Sequence, residues 1–349
     1  MPSRNQRLGG LLKFYVPRRD EFTKRISQPR PYDIIGGMKI GALWACLGAL
    51  ALAGWAADAP PAQPSAPSAD ETTHILVDVT RVNMLFTVTD KSDRFITGLT
   101  KDDFEINENK KRQTILEFTA ESDLPLRLGI LVDTSSSIRD RFQFEQDAAI
   151  EFITRVVHAA VDKAMVVSFD SSAELVSDMI GDAVKLSTAV RNLRPGGGIA
   201  FYDAIYFACR DKLQQDQPKN KFRRAMVILT DGEDNQSRYT RDQALEMAQK
   251  ADVVIYLVST NFTHAETEGD KVVKYLAQET GGRAFFPFKV EDLEQAFENI
   301  ANELRHQYSI FYRPEPLKTD GLYHPVDLRV KGRSGLVVRA RKGYYAPKM

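Results

Sequence analysis

Three short stretches of this 349-residue chain hold oxygen donors at spacings that could bind a small, hard cation. Asp133-Thr134-Ser135-Ser136-Ser137 follows a continuously apolar run at 128–132, and Thr230-Asp231-Gly232 follows a second at 226–229. The third, 194–203, reads Arg-Pro-Gly-Gly-Gly-Ile-Ala-Phe-Tyr-Asp and lies between two helical patterns. In an extended loop the side chains at i, i+2 and i+4 share one face. Asp133, Ser135 and Ser137 then converge, while Thr134 and Ser136 point away. In a parallel sheet the strand exits gather on one rim, which brings Asp231 to the same place. Two carboxylates and two hydroxyls form an all-oxygen set suited to Mg²⁺, an ion that takes few carboxylates and keeps water. Asp133, Ser135, Ser137 and Asp231 are therefore the candidate metal ligands.

Other chemistries fit less well. The 47 Lys+Arg balance 47 Asp+Glu, which argues against nucleic-acid binding through bulk positive charge. Cys46 and Cys209 cannot form a disulfide framework, and no Cys/His cluster suggests zinc. Cys209 reads as an apolar filler. His74, His158, His264, His306 and His324 are scattered, so a serine hydrolase lacks its histidine as well as a G-x-S-x-G turn. Gly196-Gly197-Gly198 follows no strand in the way a phosphate-binding loop would. Asp133 and its serines could simply cap the helix beginning near Arg139, but capping leaves Asp231 and the glycines unexplained. Asp203 reads as a local cap or turn residue, and Glu233-Asp234 and 261–269 as solvated loops. The alternative in the enzyme class is an aspartic-type hydrolase using Asp133 and Asp231. That chemistry needs two carboxylates sharing a proton within all-β lobes, whereas each loop here leaves a strand for a helix.

The elements that must position these residues alternate. Apolar runs at 128–132, 165–169, 226–229, 253–258 and 284–286 read as strands buried on both faces. Between them, apolar residues at spacings of three and four mark helices at 149–157, 184–193, 204–213, 244–251 and 272–280, the last stopped by Gly281-Gly282. A final helix carries Val290, Leu293, Phe297, Ile300, Ala301 and Leu304 on one stripe. Alternation over about 180 residues predicts an α/β fold with a doubly wound, mostly parallel sheet. On its N-terminal side, runs at 75–80, 83–89, 104–107 and 114–118 read as strands, the last two as a hairpin around residues 108–111. On its C-terminal side, 308–312, 326–330 and 336–340 are three more. Neither set makes a domain alone, so the α/β part is expected to be inserted into a small β-sandwich built from residues 74–122 and 308–347.

The first 73 residues read differently. Met38-Lys39 is followed by an apolar run to Ala57 with a small-residue exit, the pattern of a secretory signal over 38–57. Residues 1–37 carry eight Lys/Arg and three Asp/Glu and read as an over-extension of the reading frame, with translation starting at Met38. Residues 58–73 are a Pro/Ala spacer with no large apolar side chain before His74. The expected location is secreted or periplasmic; the alternative is an uncleaved anchor holding the protein to the outer side of a membrane.

Asp133-x-Ser135-x-Ser137 after a buried strand, with Thr230-Asp231-Gly232 about a hundred residues later, resembles the metal-ion-dependent adhesion site of von Willebrand factor type A domains. The stretches 194–204 and 281–286 are similar to a group of secreted bacterial proteins of that family. The resemblance covers 75–347 and implies a Rossmann-like domain over 123–307. It implies direct ligation by Ser135 and Ser137, with Asp133 and Asp231 acting through water or hydrogen bonds. The ion would be Mg²⁺, Mn²⁺ or Ca²⁺, and its open position would take a carboxylate from another protein. The implied function is an exported, non-enzymatic adhesion or assembly module, with no nucleic-acid or small-molecule substrate. The family pattern wants threonine after the glycines, where this chain has Ile199. A ligand oxygen is lost, an apolar group is expected at the rim, and the site is expected to be weakened. N-terminal sequencing of the native precursor is expected to begin at Met38; peptides from 1–37 would refute that start.

Overall fold

A computed structural model describes residues 81–120, 124–217, 221–261, 263 and 265–348. The strand expected at 75–80, the signal and the Pro/Ala spacer lie outside these residues. Four strands come first: β1 (Val82–Thr89), β2 (Phe104–Glu108), β3 (Lys111–Arg112) and β4 (Ile115–Thr119). The middle segment runs β5 (Leu126–Asp133), α1 (Phe142–Val156), β6 (Lys163–Phe169), β7 (Ala173–Ile180), α2 (Ala183–Arg191) and α3 (Phe201–Phe207). It continues with β8 (Arg223–Thr230), α4 (Arg241–Lys250), β9 (Val253–Ser259), α5 (Glu268–Thr280), β10 (Ala284–Phe285) and α6 (Val290–Arg305). The chain closes with β11 (Tyr308–Tyr312), β12 (Tyr323–Val330), β13 (Val337–Ala340) and β14 (Gly343–Tyr345).

The middle segment forms one six-stranded sheet in the order β10-β9-β8-β5-β6-β7. All eight residues of β5 are buried, as a strand covered on both faces requires. The pleat sends Leu128, Ile130 and Val132 to one face, under α1, α2 and α6, with Phe152, Leu186 and Ile300 in the same core. Leu131 faces the other way, with Phe201, Ala244 and Leu276 of α3, α4 and α5. The expected doubly wound fold is present. The exception within the sheet is β7, which the sequence reading missed. It is an antiparallel edge strand beside β6, mostly half-buried, so it shows neither a continuous apolar run nor clean alternation.

The flanking segments interleave into two four-stranded sheets, β13-β1-β11-β4 and β14-β12-β2-β3. Met84, Phe86, Phe104, Ile106, Tyr308, Ile310 and Tyr312 fill the core between them. This is the expected sandwich with the α/β part inserted: β4 and β11, the strands on either side of the insertion in sequence, pair with each other. One hairpin differs from expectation. The partner of β2 is β3, and Asn109 and Lys110 take positive φ values of 49° and 66° in the two-residue turn between them. Two left-handed residues match the twist of a tight hairpin. The chain then crosses to the other sheet as β4.

Polar groups tie the sandwich to the insertion. Glu303 of α6 is fully buried and accepts from Thr87 Oγ1 at 3.2 Å and Arg339 Nε at 3.4 Å. Burial pushes its carboxyl up and Arg339 pulls it back. Removing one partner of a buried pair leaves the other charge uncompensated. Glu303→Ala is expected to destabilise the protein by about 3 kcal/mol in urea unfolding; a change within error would show that the tie contributes nothing.

Candidate metal centre

β5 and β8 are parallel neighbours with Val132 opposite Leu229. Their exits are adjacent, and this brings Asp133 and Asp231 to one place. Asp133 is fully buried. Its Oδ1 accepts from Ser135 N at 2.8 Å and its Oδ2 from Thr230 Oγ1 at 3.0 Å. Ser135 Oγ lies 2.8 Å from Ser137 Oγ, which donates to Asp231 Oδ2 at 3.2 Å. The set opens outward, since Asp133 and Ser135 are buried, Asp231 is half-buried and Ser137 is exposed. The structure thus brings together all four residues singled out from the sequence. The route is not an extended loop, however: Ser136–Ile138 is one turn of 3-10 helix. Thr134 does point away, donating from Oγ1 to Phe169 O at 3.2 Å.

The electrostatics suit a cation. Burial pushes the Asp133 carboxyl up to about 6, and the charge of Asp231 adds to that rise. A positive ion between them would relieve both penalties. Among the described residues no three His, Cys, Asp or Glu side chains converge, so a cation here would depend on the serine hydroxyls. Asp133 spends its oxygens on Ser135 and Thr230 and shares no hydrogen bond with Asp231. That geometry does not support the proton-sharing pair of an aspartic hydrolase. Helix capping does not account for the loop either, because the Ser135 side chain makes no capping hydrogen bond.

The glycine stretch straps this loop from the side. Gly196 N donates to Thr134 O at 2.6 Å and Ser136 N to Gly197 O at 3.3 Å. Gly197 has φ +84°, and a Cβ there would meet Ser171 Oγ at 2.9 Å. The expectation that Ile199 stands at the rim is corrected: it is 6% exposed and packed in the α3-side core. Its carbonyl accepts from Asn235 N and Gln236 N, each at 3.0 Å. Asp234 is likewise no free loop residue, since its Oδ2 accepts from Tyr202 N at 3.2 Å at the start of α3. Asp203 is the local turn residue expected, holding Arg238 N and Tyr239 N at 2.8 and 2.9 Å.

Three contributors escaped the sequence reading. Thr230, quoted only as part of its motif, positions Asp133, and its hydroxyl also accepts from Gly232 N at 3.1 Å. Gly269 of α5 backs the Asp231 loop: a Cβ on Gly269 would lie 2.2 Å from Asp231 O, and one on Gly232 would lie 2.3 Å from Gly269 O. Glu145 of α1 is the third. It is 1% exposed, and neither of its oxygens has a hydrogen-bond partner. It borders a void of about 10 Å³ shared with Thr260, whose hydroxyl also lacks a partner. Its signal in the sequence is an acid on the apolar stripe, three residues after Phe142 and four before Ala149.

The histidines at described positions serve structure: His158 faces Asp162, His306 stacks on Phe95, and His324 lies between Asp320 and Glu108. Cys209 is fully buried and burial pushes its thiol up. Among the described residues no helix is long and apolar enough to cross a membrane.

Residues 128–233 match the family model of the von Willebrand factor type A domain. No curated protein matches the chain. Among solved structures, a von Willebrand factor type A protein from Catenulispora acidiphila is 13% identical, over 77% of this chain and 75% of that one, with a TM-score of 0.46. The PilB minor pilin from Streptococcus sanguinis is 13% identical, over 53% of this chain and 62% of that one, with a TM-score of 0.43. Proximal thread matrix protein 1 from the mussel byssus, in a form with a zinc-occupied MIDAS motif, is 16% identical, over 55% of this chain and 49% of that one, with a TM-score of 0.45. The chain thus spans 62% of the pilin's length and about half of the mussel protein's.

Glu145 yields a test. Burial pushes its carboxyl up to about 8, with the charges of Asp133 and Asp231 adding to the rise and Arg141 opposing it. The unfolded chain releases that proton near the ordinary value of 4.5, so between 4.5 and about 8 the folded state binds more protons and stability falls as pH rises. Glu145→Gln is expected to match the parent in acid and to exceed it by about 1–3 kcal/mol above the folded-state value, read by urea unfolding across pH. Parallel pH profiles for the two proteins would contradict this.

Proposed function

Taking residues 128–233 as a von Willebrand factor type A segment, we propose that the protein is an exported, non-enzymatic module that grips another protein through a divalent cation. The observation that carries this reading is the run from Ser135 Oγ to Ser137 Oγ to Asp231 Oδ2, at 2.8 and 3.2 Å, beside a buried Asp133. Ser135 and Ser137 would hold the ion directly. Asp133 and Asp231 would hold it through water, in line with Asp133 already spending both oxygens on neighbours. The bound ion supplies an electrophilic centre for a carboxylate of the partner, and Mg²⁺, Mn²⁺ or Ca²⁺ all suit oxygen donors. The exposure of Ser137 leaves the open position facing solvent. Export rests on the apolar segment at 38–57.

Ile199 makes the site weak, because its side chain lies in the core and supplies no oxygen. Calorimetric titration with Mg²⁺ and Mn²⁺ is expected to show weak binding to the parent protein and none to Asp231→Ala. Ile199→Thr is expected to bind about tenfold more tightly, at a stability cost of about 1–2 kcal/mol for placing a hydroxyl in the core. Heat from the threonine variant alone would mean that the parent site is a vestige. No heat from either protein, with folding intact, would overturn the reading.

A further inference from the structure

At the end of the parallel sheet remote from Asp133 and Asp231, a cleft of about 560 Å³ separates the α/β part from the sandwich. Its α/β wall holds Gln214 and Gln217, which precede β8, and Asp252, which precedes β9. Strands enter the sheet here, whereas the candidate ligands sit where β5 and β8 leave it. The volume is that of a ligand pocket.

The chemistry of the lining selects the ligand. Arg341 is committed: it pairs with Asp252 through Nη1 and donates from Nη2 to Asn83 O at 2.5 Å. Asp252 is the one acid of the lining. Lys318 and Lys348 have no ion-pair partner among the described residues. Beside them stand Leu317, 38% exposed, and the ring of Tyr345, with Lys250 Nζ 5.3 Å from its centroid. The wall is held from behind. Tyr344 OH donates to Glu108 Oε1 at 3.3 Å, Tyr312 OH donates to Oε2 at 2.9 Å, and His324 stacks on Tyr344 at 5.6 Å. A preorganised wall lowers the entropy cost of binding.

We propose that this cleft is a second, cation-independent site, which takes a short acidic peptide. Its carboxylates would pair with Lys318 and Lys348, its apolar or prolyl side chains would lie on Leu317 and Tyr345, and its backbone would meet the amides of Gln214 and Gln217. An inorganic anion would leave the apolar wall unused. Two uncommitted lysines are too few for a nucleic-acid backbone, where affinity grows with the number of phosphates neutralised.

The test is fluorescence anisotropy with fluorescein-labelled Glu-Glu-Pro-Tyr-Glu-Glu on the full chain, with EDTA present so that a cation at the opposite end contributes nothing. Saturable binding is expected, weakening as salt is raised. It should fall about tenfold in K318E/K348E, at an unchanged melting temperature because both side chains are on the surface. It should fall similarly when the peptide's glutamates become glutamines. No saturable binding in EDTA, equal binding by the double variant, or equal binding of the glutamine peptide would overturn the proposal. Binding that appears only when EDTA is replaced by Mg²⁺ would place the peptide at the cation site, overturning this proposal while supporting the other reading.

Discussion

A carboxylate taken out of water at the end of β5 is the constraint on which the rim depends. Asp133 is fully buried, and its charge is stabilised only by Ser135 N and Thr230 Oγ1 and opposed by Asp231. A buried anion with incomplete compensation is costly. A protein that keeps one at a strand exit must hold it by geometry. Here the geometry comes from two adjacent parallel strands whose registers leave Asp133 and Thr230 side by side. The surrounding loops then need little freedom. The glycine stretch is bonded to Thr134 and Ser136 on one side, and Gly269 fills the space behind Gly232 on the other. Side chains are absent at these contacts because the backbones approach too closely to admit them.

Glu145 extends the same theme inward. It is a second buried carboxyl on the α1 face that covers β5, close enough to feel the charges of Asp133 and Asp231. Both acids are held above their ordinary range by burial. The metal-free rim therefore stores unfavourable electrostatics that a positive charge would relieve.

The sandwich adds a mechanical setting. α6 runs into β11, which pairs with both β1 and β4, so the two ends of the insertion are fastened within one sheet. Glu303, Arg339 and Arg341 carry polar contacts across the junction. The α/β part is thus anchored at the strand-entry end, and the rim with Asp231 is left facing outward.

The residue pattern alone determined the parts that local periodicity reports. These are the apolar runs of β5, β8 and β9, the helical stripes of α1 and α6, and oxygen donors directly after two buried strands. It determined the split of the sandwich as well, since neither flanking set of strands could close a core alone. Tertiary structure decided which faces meet. It put Ile199 in the core rather than at the rim, gave β2 a two-residue hairpin and sent β4 to the opposite sheet. It left the carboxyl of Glu145 without a hydrogen bond, made Thr230 the support of Asp133, and opened the cleft beside Lys318 and Lys348. The physical reason is common to all of these. Periodicity tells which side of an element is covered, but the identity of the cover is set by burial and hydrogen bonds to residues far away in the chain. Only the assembled fold brings those residues within reach.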